Sequence, residues 1–340
     1  MKKIPDFDNF LAMLGSTPQK KPVLFELFLN DPLYMRLADR KPSDDSDIEW
    51  LKIVVDAFKN GGYDYATTLA STFNFEIGHR TTEQTISANE GGVITDRASY
   101  EAYKWLDPEN CDCSKLEKIK NYLPDGMKIM VMGPGGVLEN VMALIGFDTL
   151  CYMIYEDEDL VHEIFRQVGS RLVKYYEIAS SFDSVGLIAS NDDWGFNTQT
   201  FLSLSDMRKF VFPWHKKIAQ TAHNAGKPAI LHSCGYPADI MDDIIDDMKF
   251  DGKHSFEDNI IPIEESYKRW GSRIALLGGM DVDFLIRSTP EEITKRAEKM
   301  LELTSGKGHY ALGSGNSIPE YIPYESYYAM IRPVLEYYGN

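Results

Sequence analysis

The residues best suited to chemistry are His232 and Cys234, at the end of the run Ala229-Ile230-Leu231-His232-Ser233-Cys234-Gly235. The apolar start of that run reads as a buried strand. Side chains alternate faces along extended backbone, so the two would point the same way with their backbones roughly 6–7 Å apart. An imidazole nitrogen and a thiolate sulfur are donors that zinc accepts readily, at about 2.0–2.1 Å and 2.3 Å. A buried thiol beside a hydrogen-bonded core histidine would leave the same pattern, because cysteine is often buried as a small hydrophobe.

Such a pair needs a scaffold, and the chain offers eight apolar runs to build one. They are 22–29, 63–69, 128–134, 185–190, 229–235, 250–257, 274–281 and 309–315. Most are separated by stretches with apolar residues at helical spacing. One helix start is written in its chemistry: Thr289 can cap, Pro290 fits the first turn, and Glu292 can reach back to close a capping box. A short helix over Phe7–Leu14 precedes the first run, and Pro213 marks a kink within a helix from Asp206 to Ala225. Residues 71–127 read as a long loop with strand pieces and one helix. Alternation of strand and helix calls for parallel strands joined by crossovers, and eight such units close into a barrel. The expected architecture is α/β, a single (β/α)8 barrel over residues 1–340 with an N-terminal helical extension; a doubly wound open sheet is the alternative.

The bulk composition narrows the function. With 35 basic and 52 acidic residues the net charge is −17, which argues against nucleic acid or an anionic membrane as the main partner. No stretch approaches the ~18 apolar residues of a membrane span. Four cysteines, Cys111, Cys113, Cys151 and Cys234, make no disulfide framework in a chain of 340 residues. These features predict a cytoplasmic protein. The loop Gly133-Pro134-Gly135-Gly136 lacks the spacing of a phosphate-binding motif.

In a barrel of this kind the chemistry sits at the C-terminal ends of the strands. Those ends offer Glu26, Asp64, Asn191 to Asp193, His232 and Cys234, His254 and Glu257, Asp281, and Ser314 with Asn316. Trp194, woven among the acids of 191–197, argues for a site wall there. Glu257 is the expected third metal ligand, because it ends the strand next to His232 and Cys234. His254, three positions earlier, should face away from it. Water, Asp281 or substrate would complete the shell, and an open position marks a catalytic zinc.

The motifs His232-Ser233-Cys234-Gly235, Leu277-Gly278-Gly279-Met280-Asp281 and Leu312-Gly313-Ser314-Gly315-Asn316 resemble those of the uroporphyrinogen decarboxylase superfamily. The resemblance is to its branch of cobalamin-dependent methyltransferases, of the methylcobalamin:coenzyme M type. It implies a TIM-type barrel in which zinc, held by the histidine and cysteine, activates a substrate heteroatom for methyl transfer to or from a corrinoid on a partner protein. In the coenzyme M enzymes a second cysteine completes the zinc shell, and that position here is Ser314. One thiolate instead of two leaves zinc a stronger Lewis acid, better suited to an ether or alcohol oxygen than to a thiol. True decarboxylases of the superfamily carry an arginine motif on the first strand that meets substrate carboxylates. The similar Met35-Arg36-Leu37-Ala38-Asp39-Arg40 begins only after that run ends.

The resulting expectation is a zinc-dependent methyltransferase acting on a small methylated substrate, of methoxy or methylamine type, with a corrinoid-binding protein as partner. His232, Cys234 and Glu257 would hold the metal. Asp193 would be the general acid or base; Glu26, Asn191, Trp194, Asn197, Asp281, Ser314 and Asn316 would bind substrate or orient the groups around it. The alternatives are porphyrinogen decarboxylation and a barrel that binds a metal or small ligand without catalysis.

Overall fold

The computed structural model describes residues 3–15, 21–78 and 92–339. Seven of the apolar runs form strands: β1 (Tyr65–Leu69), β2 (Lys128–Met132), β3 (Val185–Asn191), β4 (Ala229–His232), β5 (Gly252–His254), β6 (Ala275–Leu277) and β7 (Tyr310–Ala311). They lie side by side in chain order, every neighbouring pair parallel. Parallel neighbours require crossovers, and helices supply most of them. They include Glu158–Ser180 between β2 and β3, Phe212–Asn224 between β3 and β4, Ile263–Trp270 between β5 and β6, and Pro290–Thr304 between β6 and β7. The strands are buried nearly throughout, β4 at every position. Both faces are therefore covered, which explains why these runs are continuously apolar and not alternating.

The run 22–29 departs from expectation. It makes two isolated parallel bridges, Leu24 to Leu312 and Leu29 to Ile318, instead of a ladder. The Phe25 N–H donates to Leu312 O at 2.8 Å, and the Leu312 N–H to Val23 O at 2.8 Å. On the β1 side, the hydroxyl of Tyr65 accepts from the Glu26 N–H at 2.8 Å and donates to Glu26 O at 2.7 Å. A side chain has taken the place of a neighbouring strand at Glu26. The architecture is thus a curved seven-stranded parallel sheet, with this eighth segment laid along its β7 edge.

Local signals fared well. The helix Phe7–Leu14 has the expected bounds, and Thr289 and Glu292 close the capping box. The kink expected at Pro213 is a π-helical turn, Met207–Val211, just upstream of it; proline, lacking an N–H, then sits in the first turn of Phe212–Asn224. The described part of 71–127 holds three short helices and no strand, whereas strand pieces and one helix were expected. Among the described residues no single helix is long and apolar enough to cross a membrane.

Asp64 is not at the mouth. It precedes β1, at the opposite end of the strand, and accepts from Lys3 Nζ at 2.7 Å and from the Asp6 N–H at 2.8 Å. Both side chains of the Lys3–Asp64 pair are almost wholly buried. Burial pushes each group towards its neutral form, and the partner opposes it. Removing one member of such a pair strands a charge. Lys3→Met should therefore lose about 3–5 kcal/mol of stability in denaturant unfolding, and Lys3→Met/Asp64→Asn should regain most of it. A loss below about 1 kcal/mol in the single variant would show that the pair does not pin the N-terminus.

Candidate active site at the strand ends

Asn191, His232 and His254 end β3, β4 and β5 in register, so three polar side chains share one layer. Two residues on, Asp193 and Cys234 are joined again: the Cys234 N–H donates to Asp193 Oδ1 at 3.0 Å. Ligand atoms of Asp193, His232 and Cys234 all lie within 4.8 Å of one another, the one such group of acid, histidine and cysteine side chains among the described residues. His232 Nε2 is 3.9 Å from Cys234 Sγ. The expectation that these two side chains face the same way is met.

Glu257 is outside that group, and Asp193 stands in the position expected of it. The reason is geometric. Asp193 follows β3, directly beside β4, whereas Glu257 lies three residues beyond the last residue of β5 and lines a neighbouring cavity of about 820 Å³. Phe256, Asp281, Phe284, Asn316 and Tyr321 also line that cavity. It meets the triad at Asn316, whose Nδ2 donates to Cys234 Sγ at 3.4 Å. Burial, and then the Asp281 charge, push the Glu257 carboxyl above the usual range. A carboxyl whose proton is held more tightly beside a cavity is suited to general acid work.

The other expected residues divide. Asn191 Oδ1 accepts from the Gly133 N–H at 2.9 Å, tying β3 to the loop after β2. Trp194 is 1 % exposed, packed against Phe212 and His215, so it belongs to the core and not to a pocket wall. Asn197 is exposed on the turn beyond it. Asp281 caps the helix Val282–Arg287 and accepts from the Asp258 N–H at 2.8 Å, so it shapes the cavity rim. Glu26 and Ser314 are paired beneath the site: the Ser314 N–H and hydroxyl each donate to the Glu26 carboxylate at 2.7 Å.

Two participants, His215 and Lys253, escaped the sequence reading, and Asp192 was read there only as one of the polar residues at a strand end. Asp192 is fully buried and accepts from the Leu138 and Glu139 N–H groups, from Trp194 Nε1 at 2.9 Å and from His215 Nε2 at 2.8 Å. His215, on a helix face, carries no signal by itself. Lys253 does: a lysine inside a strand is unusual, and here it is 1 % exposed, its ammonium donating to Ser233 O at 2.9 Å and Ser255 O at 2.6 Å. Burial pulls it down to about 8, opposed by the nearby Cys234, Asp193 and Glu257 charges. His232 is pulled down to about 4 by burial, and burial followed by Asp193 pushes the Cys234 thiol far up. Nitrogen, sulfur and oxygen donors are thus gathered in a site that holds the imidazole neutral. That set suits zinc.

Burial pushes Glu26 up to about 8, against its bonds from Ser314. Its proton is therefore held more tightly in the folded state, and the stability this contributes is present in acid and lost as pH rises through about 8. Glu26→Gln removes the dependence. The stability of Glu26→Gln relative to wild type should grow between pH 5 and pH 9 by on the order of a few kcal/mol, read by urea unfolding at each pH. Parallel pH profiles for the two proteins would refute a buried, proton-holding Glu26.

Comparisons with known proteins bear on this arrangement. The family model for uroporphyrinogen decarboxylase (URO-D) matches residues 100–337. The uroporphyrinogen decarboxylase of Methylobacillus flagellatus is 28% identical over 213 residues, covering 60% of this chain and 54% of the relative. That of an Anaeromyxobacter species is 26% identical over 192 residues, covering 56% and 51%. The chain spans about half the length of these curated relatives. Among solved structures, a methyltransferase from Methanosarcina mazei superposes with a TM-score of 0.71 at 17% identity, covering 97% of this chain and 98% of that one, and so shares its fold. With most of its length matched by the family model, the chain belongs to the uroporphyrinogen decarboxylase family.

Proposed function

We propose that the protein is a zinc-dependent methyltransferase on a (β/α)8 barrel, moving a methyl group between a small methylated substrate, of methoxy or methylamine type, and a corrinoid carried by a partner protein. The observation that carries this reading is the Asp193–His232–Cys234 group, tied through Asn316 to the wall of the 820 Å³ cavity. Those three residues would hold the metal. When bound, zinc would polarise the heteroatom that bears the methyl group, and the corrinoid would carry the methyl itself.

The chain's own residues do the rest. Glu257 holds a proton on its carboxyl at the cavity wall and delivers it to the departing heteroatom. This exchanges the roles read from the sequence, with Asp193 towards the metal and Glu257 towards the proton. Asn316 steadies the sulfur through its amide, and the Lys253 ammonium offsets the negative charge of Asp193 and of the thiolate. Phe256, Phe284 and Tyr321 give the substrate apolar walls.

The names of the two curated relatives favour a second reading, porphyrinogen decarboxylation. A polyacidic substrate calls for free cationic side chains. Arg36 instead lies over the ring of Tyr324, 3.4 Å from its centroid, and Arg40 pairs with Glu49 and Asp56. Carboxylates dominate the cavity rim.

Purified protein should contain one zinc per chain, lost in Cys234→Ser and bound at least about tenfold more weakly in Asp193→Asn. Glu257→Gln should keep the zinc while turnover falls about 100-fold or more, followed by corrinoid absorbance with methoxylated compounds and methylamines as substrates. Zinc retained in Cys234→Ser would remove the proposed site. Carbon dioxide released from a porphyrinogen would favour decarboxylation, and zinc without corrinoid chemistry on any substrate would leave a binding protein.

A further inference from the structure

We propose that His254 is a positioning residue that fixes His232 in the tautomer protonated at Nδ1, leaving Nε2 as a bare lone pair aimed at Cys234 and Asp193. The geometry forces the direction of the proton chain. Ser314 O is a carbonyl, which can only accept, and His254 Nε2 lies 3.1 Å from it. The hydrogen between them therefore belongs to His254 Nε2. His254 is fully buried, and among the described residues no carboxylate bonds its ring, so the ring is neutral and holds a single N–H. Its Nδ1 is then a lone pair. That atom lies 2.8 Å from His232 Nδ1, and two lone pairs facing at such a distance would repel; His232 must supply the hydrogen. What remains on His232 is an unprotonated Nε2, 3.9 Å from Cys234 Sγ.

The far end of the chain is equally fixed. Both donors of Ser314 are held by the buried Glu26, and the peptide whose carbonyl receives His254 is fixed by its own Gly315 N–H, which donates to Met280 O at 2.7 Å. The His254 ring packs against Phe25, centroids 4.9 Å apart. Gly278, at φ +70°, leaves the path open, because a Cβ there would fall 2.0 Å from Ser314 O and 3.0 Å from His254 Nε2. Residue 314, where the resemblance places a second cysteine, thus acts through its carbonyl, two residues removed from the locus of the metal.

The tautomer is a property of the protein without metal; its value as a ligand rests on the function proposed above. The experiment separates the two. In the metal-free protein with 15N-labelled histidine, long-range proton–nitrogen spectra should show His232 protonated at Nδ1 and bare at Nε2, with His254 the reverse; His232→Gln and His254→Gln assign the signals. Zinc titration with a chromophoric chelator should then find affinity about 10- to 100-fold lower in His254→Phe, which offers no acceptor. His254→Gln, whose carbonyl can accept from His232 while its amide donates to Ser314, should keep the Nδ1 proton on His232 and bind zinc within about threefold of wild type. A His232 protonated at Nε2 in the wild type would overturn the proposal, as would His254→Gln binding zinc no better than a folded His254→Phe. If the wild type bound no zinc yet showed the Nδ1 proton, the tautomer assignment would stand and the metal reading would fall.

Discussion

A carboxylate with no exposed surface holds the site together. Asp192 gathers four donors from three parts of the chain: two backbone N–H groups at the start of the helix Val137–Ile145, the indole of Trp194 and the imidazole of His215. Burying an ionised group is unfavourable unless its lone pairs are met, and here they are. The approach is close enough that a Cβ on Gly136 would sit 2.1 Å from the side chain of Asp192. The turn after β3 is thereby clamped between two helices. Asp193, the next residue along, is left with one direction in which to point, towards β4.

The charges near the triad follow from that clamp. Asp193 and Cys234 are joined through a backbone N–H, so a carboxylate lies beside a thiol that burial already disfavours ionising. A divalent cation would relieve both groups, and the nearby Lys253 ammonium, itself held by two carbonyl oxygens, offsets part of the same charge. Glu257 lines the neighbouring cavity, and its carboxyl is pushed above the usual range by burial and then by the Asp281 charge.

The departure from the coenzyme M pattern has a structural counterpart. A serine at position 314 is bound by Glu26 below and receives His254 above, so it belongs to the supporting layer. Asp193, from a different strand, brings an oxygen within 4.8 Å of the ligand atoms of His232 and Cys234. The substitution at one strand end and the donor at another are consistent with a shell of one sulfur, one nitrogen and one oxygen.

Much was legible in the chain. Continuous apolar runs separated by helical periodicity determined the parallel sheet, because a strand covered on both faces has no polar side to show. The alternation of side chains determined that His232 and Cys234 share a face, since two residues of extended backbone return a side chain to the same side. Capping at Thr289 was likewise local chemistry. The order of residues pointed to Glu257 as the partner of His232 and Cys234, although Glu257 and Asp193 both follow strands adjacent to β4. It is Asp193 that the tertiary structure brings next to His232 and Cys234, beside an Asp192 packed against a helix far earlier in the chain. The partial strand at 22–29, the burial of Trp194 and the lysine inside β5 were decided in the same way, by long-range contacts that satisfy buried polar groups and leave no trace in nearest-neighbour pattern.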